Sequence, residues 1–243
     1  MFHLAGVLSA VGEKDINRCW SVNLDSLRIL LHEAETLKFR LFWASSIAVF
    51  GPCTPSVAPD DGPFSPQTIY GIAKLAGEHL CEYYKKKKGV DVRSLRFPGI
   101  VSFSAEPGGG TTDYSCEFFK VAAQGSAQYD CFVSAETMLP FQAMPDALDA
   151  IMLLISHEGP LSRCVFNVGG FSCAARDFES QIQKFVPNFV ASYKPDFRQA
   201  IANSWPDAVD DSLFRQEVGY VPKFTLVKFS QVMMEEWRKK LSK

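Results

Sequence analysis

An α/β fold built on a doubly wound parallel sheet, with a smaller interwoven α+β lobe, is predicted for this chain of 243 residues. Three observations predict it. Helical and strand patterns alternate along the first hundred residues, the order that parallel strands with helical crossovers require. The strand candidates are short apolar runs, the form taken by strands covered on both faces. Three candidate strand ends, His3-Leu4-Ala5, Ser46 and the segment after Arg96, carry the polar or irregular residues, and in such sheets ligands bind at the carboxyl ends of the strands.

Residues 1–10 read as the end of a buried strand running into a loop. Residues 16–38 read as a helix with Val22, Leu27, Leu30, Leu31, Ala34 and Leu37 on one broad apolar face. Residues 39–46 form a short run rich in Leu, Phe and Trp, a buried strand. Residues 51–68 hold Pro52, Pro55, Pro59, Pro63 and Pro66 and read as a long loop. Residues 70–88 form a second long helix, with Lys85 to Lys88 at its negative dipole end and Gly89 as its cap. Residues 91–96 are the next strand, ended by Pro98-Gly99. Residues 104–114 are glycine-rich loop. A helix over 145–156 opens on Pro145, and 164–168 read as a strand. An amphipathic helix over 177–185, a strand over 189–193 and helices over 211–217 and 226–241 complete the chain.

A hydrophobic content of 47% gives ample material for a core, and a formal net charge of −2 points to no nucleic acid or anionic membrane. Seven scattered cysteines without a Cys-x-x-Cys, and four histidines without ligand spacing, indicate a reducing intracellular compartment and no metal site. No apolar run reaches membrane-spanning length. The start, Met1 to Leu8, has none of the features of a signal or transit peptide. It opens on a core strand, as if something upstream were missing.

The chemistry concentrates in Ser46, Tyr70 and Lys74. Oxidising a secondary alcohol requires removal of the hydroxyl proton as hydride departs. A tyrosine four residues before a lysine shares its helix face. The ammonium favours the phenolate. Tyr70 is therefore the expected base, Lys74 its tuner and the tether for a cofactor ribose, and Ser46 the group that orients the substrate hydroxyl. Tyr-x-x-x-Lys alone is a weak signal, and its bland reading is an exposed helix face. The strand ending in Ser45-Ser46, followed by a long loop and then the motif at a helix start, makes it specific.

These residues, with His3-Leu4-Ala5, Val22-Asn23 and Val49-Phe50-Gly51, resemble the extended short-chain dehydrogenase/reductase family, Rossmann-like enzymes that include nucleotide-sugar epimerases. Within it the chain resembles the short-chain L-threonine 3-dehydrogenase branch. The matching segments are Leu8-Ser9-Ala10-Val11-Gly12-Glu13, Ser46 to Pro52, Pro107-Gly108-Gly109-Gly110-Thr111-Thr112-Asp113-Tyr114, and Phe197 to Pro206. The resemblance runs from Phe2 almost to the end. It implies NAD as cofactor and L-threonine as substrate, oxidised to 2-amino-3-ketobutyrate. It implies contacts to the dinucleotide from Leu4, Ala5, Asn23, Tyr70, Lys74, Pro98 and Ile100. It implies an amino-acid pocket from Ser9, Ser46, Tyr70, Gly108, Thr111 and Asp113, with Asp113 expected to pair with the substrate ammonium. Trp205 and Pro206 either shape that pocket or simply pack.

The resemblance also implies residues 1–104, with 142–168 returning, as the later part of a dinucleotide-binding domain, and 105–243 as mainly a substrate lobe. A homodimer through the helices near 17–38 and 70–88 is implied, and a mitochondrial location for a longer parent, with the cytoplasm as alternative. Two departures, Ala143 before Met144-Pro145-Asp146 and Glu217-Val218-Gly219-Tyr220, concern packing. The large one is at the start, where the family carries roughly 70 further residues with the first strand and the glycine-rich phosphate loop. Three readings therefore stay open: a fragment of a working threonine dehydrogenase, an inactive relative serving at most in dimerisation, and an epimerase or reductase acting on nucleotide sugars.

Overall fold

Leu41–Ser46, the central segment of the predicted sheet, lies between two parallel partners in a computed structural model that describes residues 1–104, 106 and 108–242. Phe2–His3 pairs on one side and Val92–Phe97 on the other, with Val165–Asn167 beyond it. All three pairings are parallel. The short apolar runs are strands because both faces are covered. Leu41 and Trp43 point to Leu27, Leu31 and Ala34 of the helix Ser26–Leu37 and to Cys81 of the helix Ile69–Tyr83. Phe42, between them, points to the other face, where Ala150, Ile151 and Leu154 of Met144–Ser156 pack with Phe166, Phe214 and Tyr220. Alternation of side chains along a strand thus builds two apolar layers, and the doubly wound parallel sheet is as predicted.

The first long helix is not uniform. Ile16–Trp20 passes through a wide π-type turn, Ser21–Asp25, into Ser26–Leu37. Asn23 lies in that turn, and such insertions mark functional places more often than ordinary helix does. The second long helix, Ile69–Tyr83, is N-capped by Thr68, whose hydroxyl accepts from the Gly71 N–H at 3.0 Å. It widens over Tyr84–Lys88 and stops at Gly89, which takes a φ of 68°. That left-handed stop is the one the sequence predicts.

The remaining chain builds smaller sheets. Gly99–Val101 pairs parallel with Met138–Ala143, which pairs antiparallel with Phe171–Ala174. Gln128–Cys131 pairs with Val190–Tyr193. An aromatic cluster including Tyr114, Phe118, Phe119, Phe141, Phe178, Phe229 and Trp237 fills the space between these strands and the helices Tyr114–Ala123 and Leu226–Leu241. The two-stranded pairing of Val57–Ala58 with Ala208–Val209 ties the proline-rich loop to this later part of the chain.

All seven cysteines are unpaired, and six are buried. Among the described residues no helix is long and apolar enough to cross a membrane.

Candidate active site

The carboxyl ends of the strands Phe2–His3, Leu41–Ser46 and Val92–Phe97 open into a cavity of about 280 Å³. Ten of the predicted site residues line it: Leu4, Ala5, Ser9, Ser46, Tyr70, Lys74, Pro98, Ile100, Thr111 and Asp113. Residues from widely separated segments converge there because the parallel sheet puts its strand ends on one edge.

Ser46 is the last residue of its strand, and its hydroxyl accepts from the Ala48 N–H at 3.2 Å, which starts a tight turn over Ile47–Val49. The helix bearing Tyr70 and Lys74 crosses this turn at very close range. A Cβ on Gly71 would lie 2.1 Å from the Ala48 carbonyl oxygen, so only glycine fits after Tyr70. Glycine at this point lets the helix bearing Tyr70 pack directly on the turn that follows Ser46.

Lys74 is buried at 4% exposure. Its ammonium donates to the Ala44 carbonyl at 2.6 Å and lies 4.7 Å from the centre of the Trp43 ring and 5.5 Å from that of Tyr70. Burial pushes the Lys74 amine down to about 8. Burial also pushes the Tyr70 phenol above its ordinary value, and the hydrogen-bonding Ser46 hydroxyl offsets part of that rise. For the Tyr70 phenol, desolvation outweighs the Ser46 hydrogen bond, and the Lys74 ammonium is turned to Ala44. The nearby His3 imidazole, 2.8 Å from the Ser26 hydroxyl, is lowered by burial and by the Lys74 charge.

On the opposite wall the Ser9 and Thr111 hydroxyls are 2.9 Å apart and buried. They join the segment after the first strand to the glycine-rich loop. Asp113 lines the cavity, but its Oδ2 accepts from the N–H groups of Gly109 at 2.7 Å and Gly110 at 2.8 Å. Trp205 also lines the cavity, and it packs against two of the apolar clusters as well.

Two expected contacts lie elsewhere. Asn23 is fully buried behind the cavity wall. Its amide spends its bonds on the Val7 carbonyl at 3.1 Å and the Cys19 carbonyl at 3.0 Å, and its oxygen accepts from the Val7 N–H at 3.2 Å. These bonds tie the wide helical turn to Val7, in the segment that follows Leu4 and Ala5. Gly108 is exposed and outside the lining. Pro107 lies outside the described residues.

Sequence reasoning missed the parts that support the site. Trp43 and the Ala44 carbonyl hold Lys74, and Leu8 and Thr112 join the lining. Leu8 and Thr112 stand next to the named Ser9 and Thr111, and Trp43 and Ala44 lie on the strand that ends in Ser46. The apolar wall of Leu4, Ala5, Pro98 and Ile100, ending in the Lys74 ammonium and the Tyr70 hydroxyl, suits a flat heterocycle carrying sugar hydroxyls. No group of three or more His, Cys, Asp or Glu side chains among the described residues could hold a metal ion.

The fold and the cavity are those of a dinucleotide-dependent oxidoreductase scaffold, and the sequence comparison gives the class. The chain belongs to the NAD dependent epimerase/dehydratase family, whose sequence model matches residues 1–169. It is 40% identical over 240 residues to an uncharacterized epimerase/dehydratase of Staphylococcus saprophyticus, covering 97% of this chain and 74% of that one. Among solved structures it is similar to an L-threonine dehydrogenase from Phytophthora infestans, with 41% identity, a TM-score of 0.94, and 97% of this chain and 77% of that one covered. It is similar also to a GalE-like L-threonine dehydrogenase from Cupriavidus necator in its holo form, with 42% identity, a TM-score of 0.91, and 96% and 76% covered.

Proposed function

We propose that this chain takes part in the NAD-dependent oxidation of the side-chain hydroxyl of L-threonine to 2-amino-3-ketobutyrate. The observation that carries the reading is the convergence of Ser46, Tyr70 and Lys74 with the Ser9–Thr111 pair in one cavity. Similarity to two threonine dehydrogenase structures at about 40% identity supports the substrate. The cavity of about 280 Å³ suits a small zwitterion beside a ring better than a nucleotide sugar.

In this reading the Ser46 hydroxyl orients the substrate oxygen and Tyr70 takes its proton. The Lys74 ammonium stabilises the phenolate that remains. The dinucleotide, when bound, supplies the hydride acceptor; Leu4, Ala5, Pro98, Ile100, Tyr70 and Lys74 would hold its reactive end. Ser9, Thr111 and Asp113 would receive the amino-acid group. Burial raises the Tyr70 phenol, and positive charge beside it favours the phenolate and works against that rise.

Pairing of two chains is a further part of the reading. The helices near 17–38 and 70–88 carry the exposed apolar residues Trp20, Ile29, Ile72 and Tyr83. Sedimentation of the purified chain tests it; a monomer at all concentrations removes it.

The deciding assay adds L-threonine and NAD to the purified chain and follows NADH at its absorbance band. Turnover that vanishes in Tyr70→Phe supports the reading. Turnover that Tyr70→Phe retains refutes the assigned base. Binding of NADH without oxidation of threonine favours an inactive relative, and conversion of a nucleotide sugar favours the epimerase reading.

A further inference from the structure

The most deeply buried ion pair among the described residues lies behind the cavity. Glu78 and Arg96 are each 4% exposed. Glu78 sits one helical turn after Lys74, on the same face of Ile69–Tyr83. Its Oε1 accepts from the Ser45 hydroxyl at 2.5 Å and from Arg96 Nε at 2.9 Å, and its Oε2 accepts from Arg96 Nη2 at 2.8 Å. Ser45 and Arg96 stand directly opposite each other in neighbouring strands. The remaining Arg96 nitrogen donates to the Asp60 carbonyl at 2.6 Å and to Asn167 Oδ1 at 3.3 Å. The guanidinium lies 4.6 Å from the centre of the Phe64 ring.

Burying two charges costs solvation that their attraction offsets only with excellent geometry, so such a pair is weak as a source of stability and strong as a fixer of position. Here both carboxylate oxygens are engaged, by a bidentate fork that leaves little freedom. The carboxylate therefore joins three elements at one point: the helix of Tyr70 and Lys74, the strand that ends in Ser46, and the strand that leads to Pro98.

We propose that Glu78 is a positioning residue for this site: clamped by Arg96, it ties the Tyr70–Lys74 helix to the Ser46 strand through Ser45 and places a negative charge one turn from the Lys74 ammonium. This rests on the reading of the cavity given above. The groups that face Lys74 are Tyr70, Glu78 and Cys81 on its own helix, Cys19 from Ile16–Trp20, His3 from the first strand, and the Trp43 ring and Ala44 carbonyl from Leu41–Ser46. Burial lowers the Lys74 amine, and Cys19, Glu78 and Cys81 act against that burial.

The test uses the whole chain and two variants, each checked for folding by circular dichroism. The ε-carbon resonance of Lys74 in lysine-labelled protein, assigned by its loss in Lys74→Arg, reports titration of the amine without any need for turnover. Glu78→Gln is expected to move that midpoint to lower pH. Ser45→Ala should leave the midpoint in place and lower kcat about tenfold or more with KM for threonine nearly unchanged, as for misplaced catalytic groups. A folded Glu78→Gln with an unmoved Lys74 midpoint, or a Ser45→Ala with wild-type kcat, overturns the proposal. Should Glu78→Gln fail to fold, Ser45→Ala decides. Should the wild-type chain show no oxidation of threonine, the proposed function falls, and the Lys74 midpoint alone decides on Glu78.

Discussion

Lys74 donates its buried ammonium to the main-chain carbonyl of Ala44 at 2.6 Å, two residues before Ser46. The bond fixes the lysine at the strand end where the cavity begins. It also makes Lys74 a cation held at a cost, and the cost has a definite sign. The amine falls to about 8 in the fold against an ordinary 10.5 in the unfolded chain. Below about pH 8 both states carry the proton and the folded state bears the full penalty. The penalty fades as pH rises toward 10.5, where both states are neutral.

Lys74→Met should therefore raise the unfolding free energy at pH 7 by about 1–3 kcal/mol, less the lost bond to Ala44. The gain should shrink toward pH 10. Denaturant titrations at the two pH values measure it. Catalysis should be lost in the same variant.

Tyr70→Phe keeps the ring in its wall and removes only the hydroxyl. Folding should be unaffected, and turnover should fall by about 10²–10⁴, the range of a general acid–base contribution. Ser46→Ala should lower kcat as well, since it removes both the hydrogen bond that offsets the raised Tyr70 phenol and the group that orients the substrate. Steady-state kinetics with saturating NAD separates the two effects.

Gly71→Ala sets a methyl group 2.1 Å from the Ala48 carbonyl oxygen, where neither backbone can yield without moving the helix. The better helix propensity of alanine should not compensate. A loss of about 1–3 kcal/mol is expected, as for overpacking elsewhere. A fall in kcat larger than the fall in stability explains would place the effect at the Tyr70–Ser46 contact.

Asp113→Asn separates two roles of one carboxylate. An asparagine oxygen can still accept from Gly109 and Gly110, so the turn should hold. If the second oxygen meets the substrate ammonium, KM for threonine should rise about tenfold or more, the scale of a lost hydrogen bond to a charged group. An unchanged KM would confine Asp113 to the turn.

Much of the site is legible before folding. The i, i+4 spacing of Tyr70 and Lys74, the strand ending in Ser46, the apolar face of residues 16–38 except for the exposed Leu37, and the stop at Gly89 follow from local backbone geometry, whose periods of 3.6 and 2 are written in the spacing of side chains. The strands Gly99–Val101, Met138–Ala143 and Phe171–Ala174 and the helix Tyr114–Ala123 are not foreseen. Gly99–Val101 and Phe171–Ala174 are short, and Pro140 interrupts Met138–Ala143 between them, so no period survives to be read.

What the tertiary structure alone decided is which groups meet. The sequence by itself set Tyr70 and Lys74 on one helix face and ended a strand at Ser46. It said nothing of Lys74 turning to Ala44, of Asn23 turning away from the cavity to Val7, or of Glu78 closing on Ser45 and Arg96. Periodicity is fixed by neighbours along the chain. These pairings join residues far apart in it, and burial selects them, because a polar group taken out of water must find a partner wherever the fold brings one.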